Sequence, residues 1–371
     1  MSYFTFQNLY KAYLDCRKRK TKTLNHLKFT ENLEENLLSI EKELQNRTYR
    51  PGRSIAFMVQ KPKIREIFAA DFRDRVVHHL LCNYLNPIFE KVFIYDSWAC
   101  RKGKGTHGAM LRLKKFAVQL ERERERERET KDSRLFYLQA DISSFFTSID
   151  QKILFGLIRK RIKNPEILWL SKTIIFHDCA RDIAPKIQSQ PRLFEKLPPE
   201  KSLFKVARGK GLPIGNLTSQ FFANVYLNEL DQFVKHNLKA KFYVRYVDDF
   251  VILGRNMKEL KEFRERVGEF LRKKLGLILH KRKQKILPLG NGIDFVGYVV
   301  RPEYILVRRR VIGQFRRKLE EFGSACQVKK EGCLASYCEA TRFLSEVRGS
   351  YLAHFRFANS WGLKKKLDLI I

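Results

Sequence analysis

The chain has 371 residues, 44% of them hydrophobic and 12% aromatic, which indicates a folded protein of two or three subdomains and excludes a disordered one. Its 74 Lys and Arg against 40 Asp and Glu give a formal net charge of +34, so we expect a polyanionic partner. Nucleic acid is favoured over a membrane surface, because the chain has neither a long apolar stretch nor a signal-peptide start. The seven cysteines lack a paired Cys-x-x-Cys spacing and favour reduced thiols in a cytoplasmic protein.

The N-terminal part of the chain predicts helices on either side of a β-hairpin. Apolar residues recur every three or four positions up to Leu44, which is typical of helices with one buried face. We place the end of the last helix at Pro87, since proline lacks the backbone N–H that a helix interior needs. The predicted elements are helices up to residue 52, strands over 54–60 and 64–69, and a helix from Asp71 to Asn86-Pro87.

The middle of the chain predicts a strand that ends in an acid, followed by helices. The strict Glu/Arg alternation at 121–129 is polar all round, and we interpret it as a surface insertion or an exposed helix without chemistry. An apolar strand over 135–141 then ends in Asp141. The next predicted elements are a helix around 153–158, a polar connection over 178–210, a lead-in over 213–220 and an apolar helix over 221–233.

Two adjacent aspartates interrupt a second apolar region. Within residues 243–253, the apolar runs on both sides of the aspartates predict a hairpin whose turn presents Asp248 and Asp249. Acidic side chains are costly inside an apolar strand unless a metal ion or a counter-charge compensates them. This segment alone is compatible with a solvated turn or with a divalent-cation site. A helix around 256–275, a strand pair near 293–300 and a basic helical region complete the chain.

Asp141 is the further acid that favours the cation site. If its strand lies beside the hairpin, three carboxylates meet at neighbouring strand ends. Such a group can hold two Mg²⁺ ions about 4 Å apart, an arrangement that serves phosphoryl transfer. The sequence therefore predicts a two-metal site at this edge of a sheet.

These residues resemble the motifs of reverse transcriptases. The segment 140–146, Ala-Asp-Ile-Ser-Ser-Phe-Phe, is similar to their motif A, and 246–249, Tyr-Val-Asp-Asp, is similar to their motif C. Residues 63–65 and 74–75 resemble the fingers of the group II intron-like branch, and 293–298 resembles the primer-grip strand. The resemblance implies an α+β fold: a right-hand polymerase with fingers, an antiparallel-sheet palm and a helical thumb.

The resemblance also divides the chain into functional parts. It implies an N-terminal helical extension over 1–52, fingers over 53–140 with a charged insertion near 121–129, a palm over 141–300 with a fingers insertion near 160–210, and a helical basic thumb over 301–371. We expect no nuclease, maturase or RNase H segment. A partner would then supply any step beyond synthesis.

The acidic residues take metal-binding roles in the resemblance. Asp141 and Asp248 would ligate two Mg²⁺ ions, for which Mn²⁺ is a candidate substitute. Asp249 would be a weaker or outer ligand, and Ile142 would offer its backbone carbonyl. Together, Asp141, Asp248 and Asp249 are the catalytic residues that the resemblance implies.

The basic residues and the primer grip also take roles from the resemblance. Lys63 and Arg65 would bind the triphosphate of the incoming dNTP, the arginine through its two-pronged guanidinium. Lys283 would protonate the pyrophosphate leaving group, or it is a solvated lysine in a basic cluster. The primer grip would comprise Phe295, Val296 and Gly297.

Four positions would line the dNTP pocket. Phe146 would act as a steric gate that rejects the 2′-hydroxyl, or it simply packs in the core. The stretch 214–220 begins Ile-Gly and ends in Gln, whereas the group II intron-like pattern is Gln-Gly-x-x-x-Ser-Pro. Because Ile214 and Gln220, on either side of Gly215, depart from that pattern, we predict low fidelity at template adenines. A neutral variant of ordinary fidelity is the alternative.

The departures at 214 and 220, and the stretch 350–360, resemble the reverse transcriptases of diversity-generating retroelements. These enzymes copy a template-repeat RNA into adenine-mutagenised cDNA for targeted protein diversification. The resemblance implies an RNA template, a primer or cDNA, dNTPs and a small basic accessory protein as partners, in a prokaryotic or phage-encoded cytoplasmic enzyme.

Other functions remain open from the sequence. They are a retron, phage-defence or group II intron-like reverse transcriptase of ordinary fidelity, an RNA-dependent RNA polymerase, and an RNA-binding protein with an inactive palm. Residues 103–108 fit Gly-x-Gly-x-x-Gly but lack a surrounding βαβ unit, so we assign no dinucleotide site. The eight histidines form no metal-binding spacing, so we assign no zinc.

Overall fold

Short helices form the N-terminal end of the chain. The computed structural model describes residues 2–18, 23–60, 63–127, 134–181, 195, 197–328 and 334–367. The first elements are α1 (Phe6–Arg17), α2 (Leu24–Glu31) and α3 (Leu33–Gln45). The hydroxyls of Thr5 and Thr23 accept hydrogen bonds from first-turn N–H groups of α1 and α2, which stabilises both helix starts. The predicted helices are therefore present, as three short ones.

A β-hairpin and a long helix follow. β1 (Ile55–Val59) pairs antiparallel with β2 (Arg65–Ala69), as predicted. Residues 61–62 of the predicted turn lie outside the described residues. α4 (Phe72–Glu90) begins after Asp71, whose carboxylate accepts a hydrogen bond from the Arg73 N–H at 3.1 Å.

The prediction that this helix ends at Asn86-Pro87 is wrong, because Pro87 lies inside α4. A proline in the last turn removes one hydrogen-bond donor from the helix. Packing of the buried Phe89 edge-to-face against Phe221, with ring centroids 5.5 Å apart, stabilises the turn that follows. Tertiary contacts thus extend the helix past the local break.

An antiparallel sheet with strand order β4-β5-β3-β6 lies at the centre of the fold. β6 was not predicted, because it begins at the end of the basic cluster over 281–285. It forms because Ile286 and its neighbours pair with the free edge of β3, opposite Leu138. The strands are β3 (Phe136–Asp141), β4 (Phe242–Tyr246), β5 (Asp249–Gly254) and β6 (Lys285–Pro288).

Helices cover both faces of this sheet. On one face Tyr243 and Ile252 belong to the same apolar cluster as the helix Leu217–Gln232, and on the other Val244 and Val251 pack with the helix Thr106–Arg126. Both faces are therefore buried, which fits the apolar composition of the strands. The helices are α5 (Thr106–Arg126), α6 (Phe145–Ser148), α7 (Gln151–Arg161), α8 (Pro165–Ile175), α9 (Leu217–Gln232) and α10 (Met257–Phe270).

Two sequence interpretations change at these helices. α9 begins at Leu217 and not at Phe221, because Asn216 takes the N-cap position and the polar residues after it form the first turn. The Glu/Arg alternation is helical through Arg126, whereas residues 128–129 lie outside the described residues. One side chain of this alternating run, Glu123, forms an ion pair with Lys241 at 2.7 Å. The run therefore ties α5 to the edge of the sheet.

The C-terminal part combines a small sheet with helices. The predicted strand pair is present and is joined by β9, a strand that was not predicted. None of the helices in the described ranges is both long and apolar enough to cross a membrane. The elements are β7 (Ile293–Phe295), β8 (Tyr298–Val300), β9 (Ile305–Val307), α11 (Arg309–Val328), α12 (Leu334–Phe355) and α13 (Trp361–Lys366).

Candidate active site

The sheet brings the three aspartates together. Asp141 is the last residue of β3 and pairs across the ladder with Asp249, the first residue of β5. Asp248 lies in the tight turn between β4 and β5, beside Val247, whose φ is 55°. The Ile142 N–H donates to the Asp248 carbonyl at 3.2 Å, so the turn is also joined to the end of β3.

The electrostatics of this edge favour a cation. Burial, followed by the neighbouring Asp141 carboxylate, raises the pKa of Asp248 to about 6. Burial also raises the pKa of Asp249 to about 7, although a hydrogen bond from Gln139 acts in the opposite direction. Burial and, to a smaller extent, the neighbouring carboxylates both disfavour the ionised form of these acids. A positive charge bound here would stabilise the ionised carboxylates.

Basic side chains converge on the same edge. The Lys283 ammonium forms an ion pair with the Asp141 carboxylate. Lys63, two residues before β2, is close enough to Lys283 that burial and the charge of Lys283 lower its pKa. Arg65 opens β2 and is exposed. The structure thus places Lys63 and Lys283 beside Asp141, while their chemical roles stay predictions.

The donor set fits a hard divalent cation. Over the described residues, no group of three or more His, Cys, Asp or Glu side chains is already arranged around a common metal position. The Asp141 carboxylate is instead paired with the Lys283 ammonium, whose positive charge a bound metal ion would replace. The carboxylate oxygens at this edge are the ligands that Mg²⁺ prefers. The chemistry of the three acids therefore fits the predicted ions.

Gln139 is a site residue that sequence reasoning missed. Its amide nitrogen donates to an Asp249 carboxylate oxygen at 3.3 Å and to the Asp294 carbonyl at 2.8 Å. It therefore connects the acids to the start of the small sheet. Its position two residues before Asp141, on the same face of β3, was a usable signal.

The predicted primer-grip residues form a tight hairpin. Val296 and Gly297 connect β7 to β8 with φ values of 45° and 93°, as a two-residue turn with two left-handed residues requires. Phe295 is fully buried. The Gly297 carbonyl accepts a hydrogen bond from the Arg308 N–H at 3.0 Å, which fixes the turn against the start of α11.

The predicted pocket residues lie against β2. The Phe68 N–H donates to the Ile214 carbonyl at 2.7 Å, so the segment before α9 extends the hairpin edge. Gly215 has a φ of 129°, and a Cβ there would lie 2.6 Å from the Phe68 carbonyl oxygen. Gln220 is exposed on the first turn of α9. This arrangement explains the glycine and leaves the roles of Ile214 and Gln220 as predictions.

Phe146 lies on the short helix α6, close behind Asp141. It is half-buried and packs edge-to-face against Phe145, with ring centroids 5.4 Å apart. Its carbonyl accepts a hydrogen bond from the Leu212 N–H at 2.8 Å. The ring is thus partly in the core and partly accessible, and both the steric gate and the packing role remain open.

The family is decided by comparison with known proteins. The family described as "Reverse transcriptase (RNA-dependent DNA polymerase)" matches residues 58–300, well over half of the chain. The chain belongs to the reverse transcriptase family. This match confirms the predicted reverse transcriptase family, which is one of RNA-dependent DNA polymerases, whereas the diversity-generating subtype stays a prediction. With the antiparallel sheets and flanking helices, it also confirms the predicted α+β right-hand polymerase fold.

Several curated proteins are similar to this reverse transcriptase. Protein YkfC of Escherichia coli is 25% identical over 283 residues, covering 67% of this chain and 66% of that protein. The group II intron-encoded protein LtrA of Lactococcus lactis is 23% identical over 334 residues, covering 72% and 50%. Nuclear intron maturase 1, mitochondrial, of Arabidopsis thaliana is 21% identical over 353 residues, covering 75% and 47%. The chain thus spans between about half and two-thirds of these relatives' lengths.

A solved structure is also similar to this reverse transcriptase. It is the apo telomerase from Candida tropicalis, with a TM-score of 0.48 and 13% sequence identity. The similarity covers 69% of this chain and 48% of the telomerase chain. Among the curated relatives, the group II intron-encoded protein LtrA fits the predicted group II intron-like branch.

Proposed function

We propose that the protein is an RNA-directed DNA polymerase that extends a primer on an RNA template by nucleotidyl transfer. The observation that carries the proposal is the meeting of Asp141, Asp248 and Asp249 at one end of the β3–β5 ladder, inside the segment that matches the reverse transcriptase family. The raised pKa values of Asp248 and Asp249 support a cation-binding role for this edge.

The chain's own residues would divide the work as follows. Asp141, Asp248 and the Ile142 carbonyl would hold two Mg²⁺ or Mn²⁺ ions, with Asp249 as the weaker ligand. Such ions, when bound, activate the attacking oxygen and stabilise the leaving oxygen. Lys63 and Arg65 would hold the triphosphate of the dNTP. All of these groups lie on or next to β2, β3 and the β4–β5 turn.

Lys283 and the primer grip would complete the site. Lys283 would hold Asp141 in place before cation binding and would then be free to protonate pyrophosphate. The Phe295–Gly297 turn would hold the primer end, and its connection to Asp249 through Gln139 supports that placement. Phe146 would contact the sugar of the dNTP.

We further propose the narrower function of a diversity-generating reverse transcriptase with low fidelity at template adenines. Ile214 and Gln220 support it, since an apolar side chain at 214 cannot form the hydrogen bonds of a glutamine. A group II intron-like, retron or phage-defence enzyme of ordinary fidelity is the second candidate, and similarity to the group II intron-encoded protein LtrA favours it.

The partners and the division of the chain are also proposals. The net charge of +34 supports binding of RNA template and primer or cDNA. A small basic accessory protein and a cytoplasmic, prokaryotic or phage setting belong to the diversity-generating proposal. We propose an N-terminal extension over 1–52, fingers over 53–140, a palm over 141–300 and a thumb over 301–371. Because β3 begins at Phe136, the palm would be better begun there.

Primer extension on an RNA template tests the polymerase proposal. With dNTPs and Mg²⁺ or Mn²⁺, we expect extension by the wild type and none by Asp248→Ala, which should still bind RNA. An inactive wild type with both ions would instead favour an RNA-binding protein with an inactive palm. Preference for NTPs would favour an RNA polymerase.

Sequencing of the cDNA tests the narrower function. We expect errors concentrated at template adenines in the wild type and fewer of them in Ile214→Gln, because the glutamine regains hydrogen-bonding capacity. Equal error spectra in the two proteins would reject the low-fidelity role of Ile214 and would support the second candidate.

A further inference from the structure

A fully buried arginine lies directly behind the Asp248 turn. Arg245 of β4 and Asp231 of α9 have no exposed side-chain surface. The Arg245 Nε and Nη2 atoms donate to the two Asp231 carboxylate oxygens at 2.7 and 2.6 Å. This two-pronged ion pair holds the guanidinium in one orientation.

Every donor of the guanidinium has a partner. Beyond Asp231, Nη2 donates to the Ser97 hydroxyl at 2.9 Å, and Nη1 donates to the Asn224 side-chain oxygen at 3.4 Å. The remaining donor, on Nη1, reaches the Val247 carbonyl at 3.0 Å. Five N–H groups therefore meet five acceptors, an arrangement that lysine cannot reproduce.

The Val247 contact bears on the aspartate turn. Val247 has a φ of 55°, in the left-handed region that a β-branched residue rarely adopts. Such a conformation persists where surrounding contacts compensate its cost. Arg245 supplies one such contact, at the carbonyl of the residue that precedes Asp248. The backbone of the turn is thus fixed from inside the protein, on the face of the sheet opposite Gln139.

We propose that Arg245 is a positioning residue of the active site, which holds the Val247 carbonyl and thereby fixes the turn that presents Asp248. The pair with Asp231 keeps the guanidinium buried and aimed at the turn. A buried ion pair is weak evidence for stability, because an apolar pair of similar volume is often as stable. The contact with Val247 is what an apolar pair would lose. This inference rests on the proposed cation role of Asp248.

The test separates positioning from folding. Arg245→Lys keeps a charge next to Asp231 but loses the guanidinium fork. The triple variant Arg245→Met, Asp231→Leu and Tyr243→Phe removes the ion pair altogether. The third substitution is needed because the Tyr243 hydroxyl donates to Asp231 at 2.8 Å and would otherwise lose its partner. Tyr243→Phe alone is the matched control, because it removes one hydrogen bond to the Asp231 carboxylate and keeps the Arg245–Val247 contact. Thermal unfolding, primer extension and calorimetric Mn²⁺ binding to the full chain are measured for each.

We expect both arginine replacements to fold. Their kcat and their Mn²⁺ affinity should fall about 10- to 100-fold, whereas their KM for dNTP should change less than about twofold. Tyr243→Phe should match the wild type. Folded variants with wild-type kcat and Mn²⁺ affinity would overturn the proposal, and so would the failure of both replacements to fold, since the pair would then serve stability. An inactive wild type would instead reject the proposed polymerase function.

Discussion

Removal of the Gln139 amide should weaken cation binding at the aspartates. Gln139 donates to the buried Asp249 carboxylate at 3.3 Å. Hydrogen bonds to charged groups contribute about 1.5–3 kcal/mol, and the long distance places this one near the lower end. About 1.5 kcal/mol corresponds to roughly tenfold in affinity. We therefore expect Gln139→Leu to bind Mn²⁺ about tenfold more weakly at neutral pH.

The same substitution should change the pH dependence of the reaction. The Gln139 hydrogen bond lowers the pKa of Asp249, which burial has raised to about 7. Without the amide, the ionised carboxylate is less stabilised and is protonated at higher pH. The acidic limb of the primer-extension rate should therefore move to higher pH.

Calorimetric Mn²⁺ titration and rates measured over about pH 6 to 9 check both effects. Gln119→Leu is the matched control, since Gln119 donates to Glu123 at 3.2 Å on α5, in a carboxylate contact remote from the aspartates. A Gln139→Leu protein with wild-type Mn²⁺ affinity and an unshifted acidic limb would refute the role assigned to the amide.

Four further predictions concern the pocket, the core and the nucleic acid. Gly215→Ala should destabilise the fold by about 1–3 kcal/mol, because its Cβ would meet the Phe68 carbonyl oxygen at 2.6 Å. Gly209→Ala is the control: it shares a positive φ, 83°, but has no atom within 4 Å of the added Cβ, so it should cost less. Equal melting temperatures of the two variants would contradict the role of the contact. Burial lowers the pKa of His78 to about 3 from its ordinary value of 6.5. Only the unfolded chain then takes up this proton, so stability falls as the pH drops below about 6.5, by up to about 1.4 kcal/mol per pH unit. His78→Leu should flatten the difference in denaturant midpoint between neutral and acidic pH, and an unchanged slope would count against it. Phe146→Ala should admit ribonucleotides in primer extension, whereas unchanged sugar selectivity would leave only its packing role. Binding to duplex DNA should weaken with salt with a log–log slope of about 0.9 per phosphate neutralised, and a flat dependence would exclude an extended basic groove.

The elements that carry the acids could be predicted because their signals are local. The apolar run before Asp141 predicts one strand, and the apolar runs on either side of Asp248 and Asp249 predict two more, without reference to the rest of the chain. The antiparallel pairing of these strands then follows from the need to place the acids at one edge. The structure has this pairing, with Asp141 opposite Asp249.

The elements that were missed depend on tertiary partners. β6 has only four residues and lies next to a basic cluster, and it is a strand because β3 offers a free edge. Pro87 does not end α4, because the turn after it is anchored by the buried Phe89. Local sequence patterns contain neither the strand edge nor the anchoring contact, so they miss β6 and end α4 too early.

The two positioning side chains share a sequence feature that window-based reasoning passes over. Gln139 and Arg245 are polar residues inside apolar strands, each two positions from a residue of the aspartate edge. Burial of such groups costs free energy unless every donor is satisfied, and here the satisfied donors end on Asp249 and on the Val247 carbonyl. Because strand side chains alternate, Gln139 acts from the α5 face of the sheet and Arg245 from the α9 face. Gln139 therefore holds the Asp249 carboxylate from one face, and Arg245 holds the Val247 carbonyl from the other. The geometry of the aspartate edge thus depends on packing on both faces of the sheet.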